Sequence, residues 1–231
     1  VAITGGTGFV GRNLAERLPD AVVISRRSGI DITDVDALAA SFEGCDAVAH
    51  CAGINREIGD QTFQRVHVDG TRAVVEAARR AGVRRIVMVS FLRARPDCGS
   101  PYHESKWAAE EIIRESGIAH TILKSGMIYG PGDHMVDHVT RAVRPVPTWT
   151  IRILAQLTEW AMVTPLVAKA QARMLAEGVS EALPPAPEPP VDVRPARPFS
   201  DASIREALPD GRFGLDDLRA VHRMRRRSAR A

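Results

Sequence analysis

The sequence predicts an α/β fold, a doubly wound parallel sheet with helices on both faces. Three observations carry that expectation. Short apolar, β-branched runs at 1–4, 21–25, 45–50 and 85–91 alternate with longer stretches of helical periodicity. The runs are apolar throughout rather than alternating in polarity, as strands covered on both faces are. The first of them runs straight into a glycine-rich turn and an apolar helix start. With 231 residues, 45% of them hydrophobic, the chain can bury one good core and a small annex. The reading is a first domain over 1–144 and a helical, proline-rich extension over 145–231.

Val1–Thr4 is the first strand, and Gly5, Gly8 and Gly11 follow with G-x-x-G-x-x-G spacing. That spacing is one variant of the dinucleotide fingerprint, which makes the fold Rossmann-type. Gly5 permits the tight turn, Gly8 lets the backbone approach a pyrophosphate, and Gly11 lets the helix close on the sheet. Thr7, Phe9 and Val10 complete the turn and the helix start. The bland alternative is a glycine-rich turn with no ligand. Phe9–Leu18 reads as a helix ended by Pro19.

Ala21–Ser25 reads as a buried second strand, with Arg26 and Arg27 directly after it. Where this fold faces the adenosine ribose, an acid selects NAD and an arginine pairs with the 2′-phosphate of NADP. Ser25, Arg26 and Arg27 therefore favour NADP(H), with NAD(H) still open and solvated loop charges as the plain alternative. Asp31 and Ile32, in GIDITD, fall near the adenine or in the capping region of the next helix. Asp34 is the better cap for Val35–Phe42.

Cys45–His50 is the third strand, and Cys51, Ala52 and Gly53 at its end are small enough for a cofactor to pass closely. Cys51 sits among small apolar residues with no helper nearby, so it does not read as a nucleophile. Gln61–Ala81 is a long helix stopped by Gly82. Arg85–Phe91 reads as a fully buried fourth strand.

Ser90 lies at the end of that strand, where active sites of open parallel sheets form. Ser100 and Pro101 then read as N-cap and first residue of a helix that carries Tyr102 and Lys106, four apart on one face. A neighbouring ammonium draws a phenol down from its ordinary pKa of about 10. A serine hydroxyl opposite can hold a substrate oxygen for proton transfer. A Y-x-x-x-K after a strand-end serine, the stretch Val68–Arg72 and the later Tyr129-Gly130-Pro131-Gly132-Asp133 resemble the extended or atypical branch of the short-chain dehydrogenase/reductase superfamily. That branch includes sugar-nucleotide epimerases and dehydratases, NmrA-like proteins and the NADPH-binding accessory subunit of respiratory complex I. The resemblance covers Val1 to about Arg144. It implies Tyr102 as general acid/base, Lys106 as orienter of the ribose and tuner of the tyrosine, and Ser90 as polariser of the substrate, with Ser100 or Ser105 as stand-ins. It also implies that Lys124, Gly126 and Met127, after a fifth strand at Ala119–Lys124, pack beside the nicotinamide.

His134 and His138 show metal-like spacing without a third ligand set, so no metal is expected. After Pro147 the family's substrate region looks shortened, passing straight to an amphipathic stretch at Trp149–Gly178, a proline-rich strap at 183–198 and two short helices. The closing arginines (223, 225–227, 230) could touch nucleic acid or anionic lipid. No recognition motif accompanies them, so no specific nucleic-acid partner is expected, while a peripheral membrane or complex contact stays open. Three cysteines without a C-x-x-C read as free thiols in a reducing cytoplasm. Nothing reads as a signal peptide, and the start without methionine reads as trimmed. The function expected is an NAD(P)(H)-dependent oxidoreductase or epimerase-like enzyme acting on a small-molecule carbonyl/alcohol pair, with a homodimer open from its relatives. The alternative is a non-catalytic NADPH-binding sensor or accessory protein.

Overall fold

A computed structural model describes residues 1–126, 128 and 148–161. Met127, the motif at 129–133, the two histidines at 134 and 138, and most of the extension lie outside the described residues. Five parallel strands form one sheet in the order β2-β1-β3-β4-β5. They are β1 (Ala2–Thr4), β2 (Val22–Ile24), β3 (Ala47–His50), β4 (Arg85–Phe91) and β5 (Ala119–Ser125). The order reverses direction at β1: β2 lies on one side and β3 on the other. Ligands of open α/β sheets bind in the crevice outside the strand ends at such a switch point.

The connecting helices are α1 (Phe9–Ala15), α2 (Val35–Phe42), α3 (Gly70–Arg80) and α4 (Pro101–Arg114). A further helix, α5 (Thr148–Ala161), lies beyond the sheet in sequence. Asp34 caps α2 as expected, its carboxylate accepting from Ala37 N–H at 3.0 Å. Pro101 opens α4, but the Ser100 hydroxyl makes no capping bond; the Glu104 carboxylate instead accepts from Gly99 N–H at 2.6 Å. The expected single helix from Gln61 runs unbroken from Phe63 to Arg80, but its winding changes on the way. Gln64–Asp69 is wound as a π-helix and passes directly into the α-helical turns of Gly70–Arg80. Gly82, at φ +69°, lets the chain leave α3.

Right-handed crossovers put α2, α3 and α4 on one face, because β2→β3→β4→β5 advances in one direction, and α1 on the other. The core lies on the three-helix face. Leu38 and Phe42 of α2, Val74, Ala77 and Ala78 of α3, and Ala109 and Ile113 of α4 close over Ile86 and Met88 of β4. The opposite face is thinner, and two expectations change there. β4 is not buried throughout, since Val87 and Val89 are only half-buried. β2 is an exposed edge strand, with Val22 and Val23 each 39% accessible, because no further strand pairs outside it among the described residues. Helix α1 ends three residues before Leu18, which is itself exposed.

Candidate active site at the switch point

The glycine turn and the end of β3 meet at the crevice. Gly5 has φ +68°, and a methyl group on it would lie 2.6 Å from Ala52 Cα and 2.7 Å from Ala52 N. A methyl group at Gly11 would sit 2.4 Å from the Gly5 carbonyl oxygen. Both positions therefore exclude any side chain, and the turn presents backbone alone. No side chain caps the first turn of α1 at Gly8. Thr7 and Gly8 are exposed there, and Phe9 and Val10 are half-buried behind them. The turn therefore lines this end of the crevice with backbone rather than side chains.

At the end of β2, Ser25 and Ser28 cap each other's backbone across a 3₁₀ turn, at 3.3 and 2.9 Å. Arg26 and Arg27 stand exposed on that turn. Asp31 accepts from the Thr33 N–H and hydroxyl at 2.9 and 2.6 Å and pairs with Arg65 at 3.1 Å. Burial alone would raise its carboxyl, but those hydrogen bonds and the guanidinium together hold it below its ordinary value. Ile32 packs over Gly70 against the core.

Helix α4 brings Tyr102 and Lys106 to the other side of the crevice. Tyr102 lies in a cage of rings: Phe63, His67, Phe91 and His103 all stand edge-on to it, 5.5–5.7 Å between centroids. Burial pushes its phenol above its ordinary value, opposite to the direction expected from Lys106. The physical reason is burial alone, which withdraws the anionic form from water; Lys106 is anchored on Val89 instead. Lys106, 7% accessible, donates to the Val89 carbonyl at 2.9 Å. Burial draws its ammonium down to about 8, while Glu110 and then Cys51 pull the other way. A methyl group at Gly53 would lie 3.5 Å from both Lys106 Nζ and His67 Nε2. Gly53 thus lies in contact range of both the lysine and His67. Burial raises the Cys51 thiol to about 11, so it stays protonated and is no nucleophile.

Ser90 does not join this pair. Its hydroxyl, 2% accessible, donates to Glu110 at 2.5 Å on the three-helix face. Ser90 shares its side of β4 with Ile86 and Met88, and this alternation turns it into the core. Lys124 is likewise not at the crevice. It faces the same way from β5, paired with Ser90 in register, and its ammonium bonds Glu110 at 3.0 Å and the Ala94 carbonyl at 3.2 Å. Arg114 completes the cluster with a 2.7 Å pair to Glu110. Gly126 directly follows β5, beside the Leu92 N–H that bonds Ser125. Among the described residues no three metal-ligating side chains gather.

The sequence reading missed three residues that bind the site together, His50, His67 and Thr71. Their hydrogen bonds have one consistent direction. Thr71 donates its only hydroxyl proton to the His67 carbonyl at 2.5 Å, so it must accept from His50 Nε2 at 3.0 Å. His50 Nδ1 is then bare and accepts from Thr4 at 2.7 Å. His67 Nε2 accepts from the Ile54 N–H at 3.1 Å, which leaves the proton on Nδ1. Ser105 accepts that proton at 2.9 Å and donates its own to the Tyr102 carbonyl at 2.9 Å. Burial, reinforced by the Lys106 charge, drops His50 to about 3 and His67 well below its ordinary value, so both imidazoles are neutral. The spacing of His67 and Thr71, four apart, was the available signal.

The profile of the NAD(P)H-binding family matches residues 26–146. The chain belongs to that NAD(P)H-binding family, of extended short-chain dehydrogenase/reductase type. It is similar to a ceramide reductase of Caulobacter vibrioides, 36% identical over 151 residues, covering 58% of this chain and 47% of that protein. It is also similar to an uncharacterized sugar epimerase of Bacillus subtilis, 34% identical over 96 residues, 39% of this chain and 45% of that one. A mouse mitochondrial NADH dehydrogenase [ubiquinone] 1 alpha subcomplex subunit 9 is 26% identical over 159 residues, 59% and 42% of the two chains. The chain spans just under half the length of these curated relatives. The solved structure of MoeE5 in complex with UDP-glucuronic acid and NAD shares the fold, at TM-score 0.50 and 24% identity, over 58% of each chain. Among the described residues no helix is long and apolar enough to cross a membrane.

Proposed function

We propose that this protein is an NADP(H)-dependent reductase in which Tyr102 delivers the proton to the oxygen of an apolar carbonyl substrate. The observation that carries the reading is the placement of Tyr102: four rings cage its phenol on α4, one turn before the buried Lys106. A phenol in its acid form suits reduction, where the developing alkoxide must be protonated, rather than oxidation, which needs the phenolate first. When bound, a nicotinamide supplies the hydride. Lys106, anchored on the Val89 carbonyl and lying beside Gly53, is the cation we assign to the ribose hydroxyls. The aromatic cage, and the likeness to a ceramide reductase, favour a hydrophobic ketone. The free thiols of Cys45, Cys51 and Cys98 suit the cytoplasm.

The exposed pair Arg26 and Arg27 sets the nucleotide preference. Changing both to Ala lowers NADPH affinity by about tenfold or more, the loss of one or two charge-assisted hydrogen bonds, and leaves NADH affinity unchanged. Fluorescence titrations of both nucleotides, followed by NADPH consumption with long-chain ketones, test the reading. Equal loss for the two nucleotides contradicts the arginine assignment, and no consumption with any ketone contradicts the reductase.

One observation favours a second reading. With Ser90 committed to Glu110, Tyr102 and Lys106 act without the serine that the family resemblance implied. A chain that binds NADPH through the same arginines and reduces nothing would be an accessory or sensing protein, as the likeness to the complex I subunit would suggest.

A further inference from the structure

The π-helix Gln64–Asp69 carries a buried histidine between two functional segments, and nothing in the proposed chemistry requires an imidazole there. We propose that His67 is a positioning residue that ties the β3–crevice loop to the tyrosine helix and so fixes Tyr102 and Lys106 against the cofactor floor. One ring nitrogen takes the Ile54 N–H, one residue beyond Gly53, and the other reaches Ser105, which holds the Tyr102 carbonyl. The ring also stacks on Phe63 at 5.5 Å and stands edge-on to Tyr102 at 5.7 Å. π-Helical turns are frequent at functional sites, and here the Thr71 hydroxyl, four residues on, bonds the His67 carbonyl. Through Thr71 and His50 the same chain of bonds reaches Thr4, the residue before Gly5. The ends of β1 and β3, α3 and α4 are thereby locked in one register by bonds that each have a single donor direction.

That directionality makes the test sharp. In ¹⁵N-histidine-labelled protein, NMR shows His67 as the Nδ1–H tautomer and His50 as the Nε2–H tautomer, opposite forms in one core. His67 found as Nε2–H, or either ring found doubly protonated at neutral pH, overturns the inference. His67→Phe keeps the stacked ring and removes both bonds. It lowers turnover of an NADPH-dependent ketone reduction on the order of 10- to 100-fold, as small misplacements of reacting groups do, with the KM for NADPH within roughly threefold. His67→Gln, whose amide oxygen can take the Ile54 N–H, recovers part of the rate. Parallel loss of NADPH binding and of thermal stability in both variants overturns the positioning role and makes His67 a structural pillar. The inference rests on the reductase reading for its kinetic arm only. If the unmodified protein reduces no ketone, that reading fails by itself, and the tautomers and the hydrogen-exchange protection of the Ile54 amide, lost in His67→Phe if the tie exists, decide the inference.

Discussion

Tyr102→Phe lowers ketone reduction by roughly 100- to 10,000-fold, the range for loss of a positioned acid, and leaves NADPH affinity unchanged. The substitution removes one oxygen and leaves the ring. The edge-on contacts with Phe63, His67, Phe91 and His103 involve the ring alone, so the cage survives. The bond that holds this turn of α4, from Ser105 to the Tyr102 carbonyl, belongs to the backbone and also survives. Lys106 keeps its anchor on Val89, seventeen residues away in sequence and on a different element. The variant therefore separates proton delivery from cofactor binding. Steady-state rates with NADPH and a long-chain ketone, beside a fluorescence titration of the same preparation, make the measurement. A fall in affinity matching the fall in rate would assign Tyr102 to the cofactor pocket instead.

Glu110→Gln destabilises the fold by about 3 kcal/mol, near the lower end for removing one partner of a buried ion pair. Glu110 is wholly buried and gathers three donors from three elements: Ser90 of β4, Arg114 one turn along α4 and Lys124 of β5. Lys124 is nearly as buried, at 9%, and has only the Ala94 carbonyl as a second acceptor. An amide in place of the carboxylate leaves that ammonium without a counter-charge in a low-dielectric site. Arg114 is more accessible, at 35%, and recovers part of its solvation, which keeps the estimate at the lower end. For a chain of this size the loss corresponds to a melting temperature lower by about 6–12 °C. Thermal unfolding followed by circular dichroism reads it. An unchanged midpoint would show that the cluster contributes nothing net.

How legible the molecule was depends on what each motif encodes. The glycine turn was readable because its constraint is local: Gly5 and Gly11 exclude a side chain on backbone grounds alone. The strands were readable because β-branched runs leave few alternatives, and β4 spans the residues expected of it. What one strand could not reveal was its neighbour. β2 looks as apolar as a central strand, and only the sheet order makes it an edge. The tyrosine and lysine were legible as a pair four apart, since a helix enforces that geometry. The serine was not, because its role depends on which face of β4 it takes, and Glu110 from another element claims it. The phenol's shift went the other way from expectation for a similar reason: three of the four rings around it, Phe63, His67 and Phe91, come from other elements distant in sequence. His50 and His67, 17 residues apart, form part of the site only after α3 has folded onto the sheet.

The central claim is that a dinucleotide lies across the switch point, from the glycine turn to the Tyr102 helix. Hydrogen–deuterium exchange of the intact chain, with and without saturating NADPH, tests it most directly. The account predicts added protection in two separate segments, the turn at 4–12 and the loop at 51–55, together with the start of α4 around Lys106. No added protection, or protection confined to segments away from the β1 and β3 ends, would contradict it.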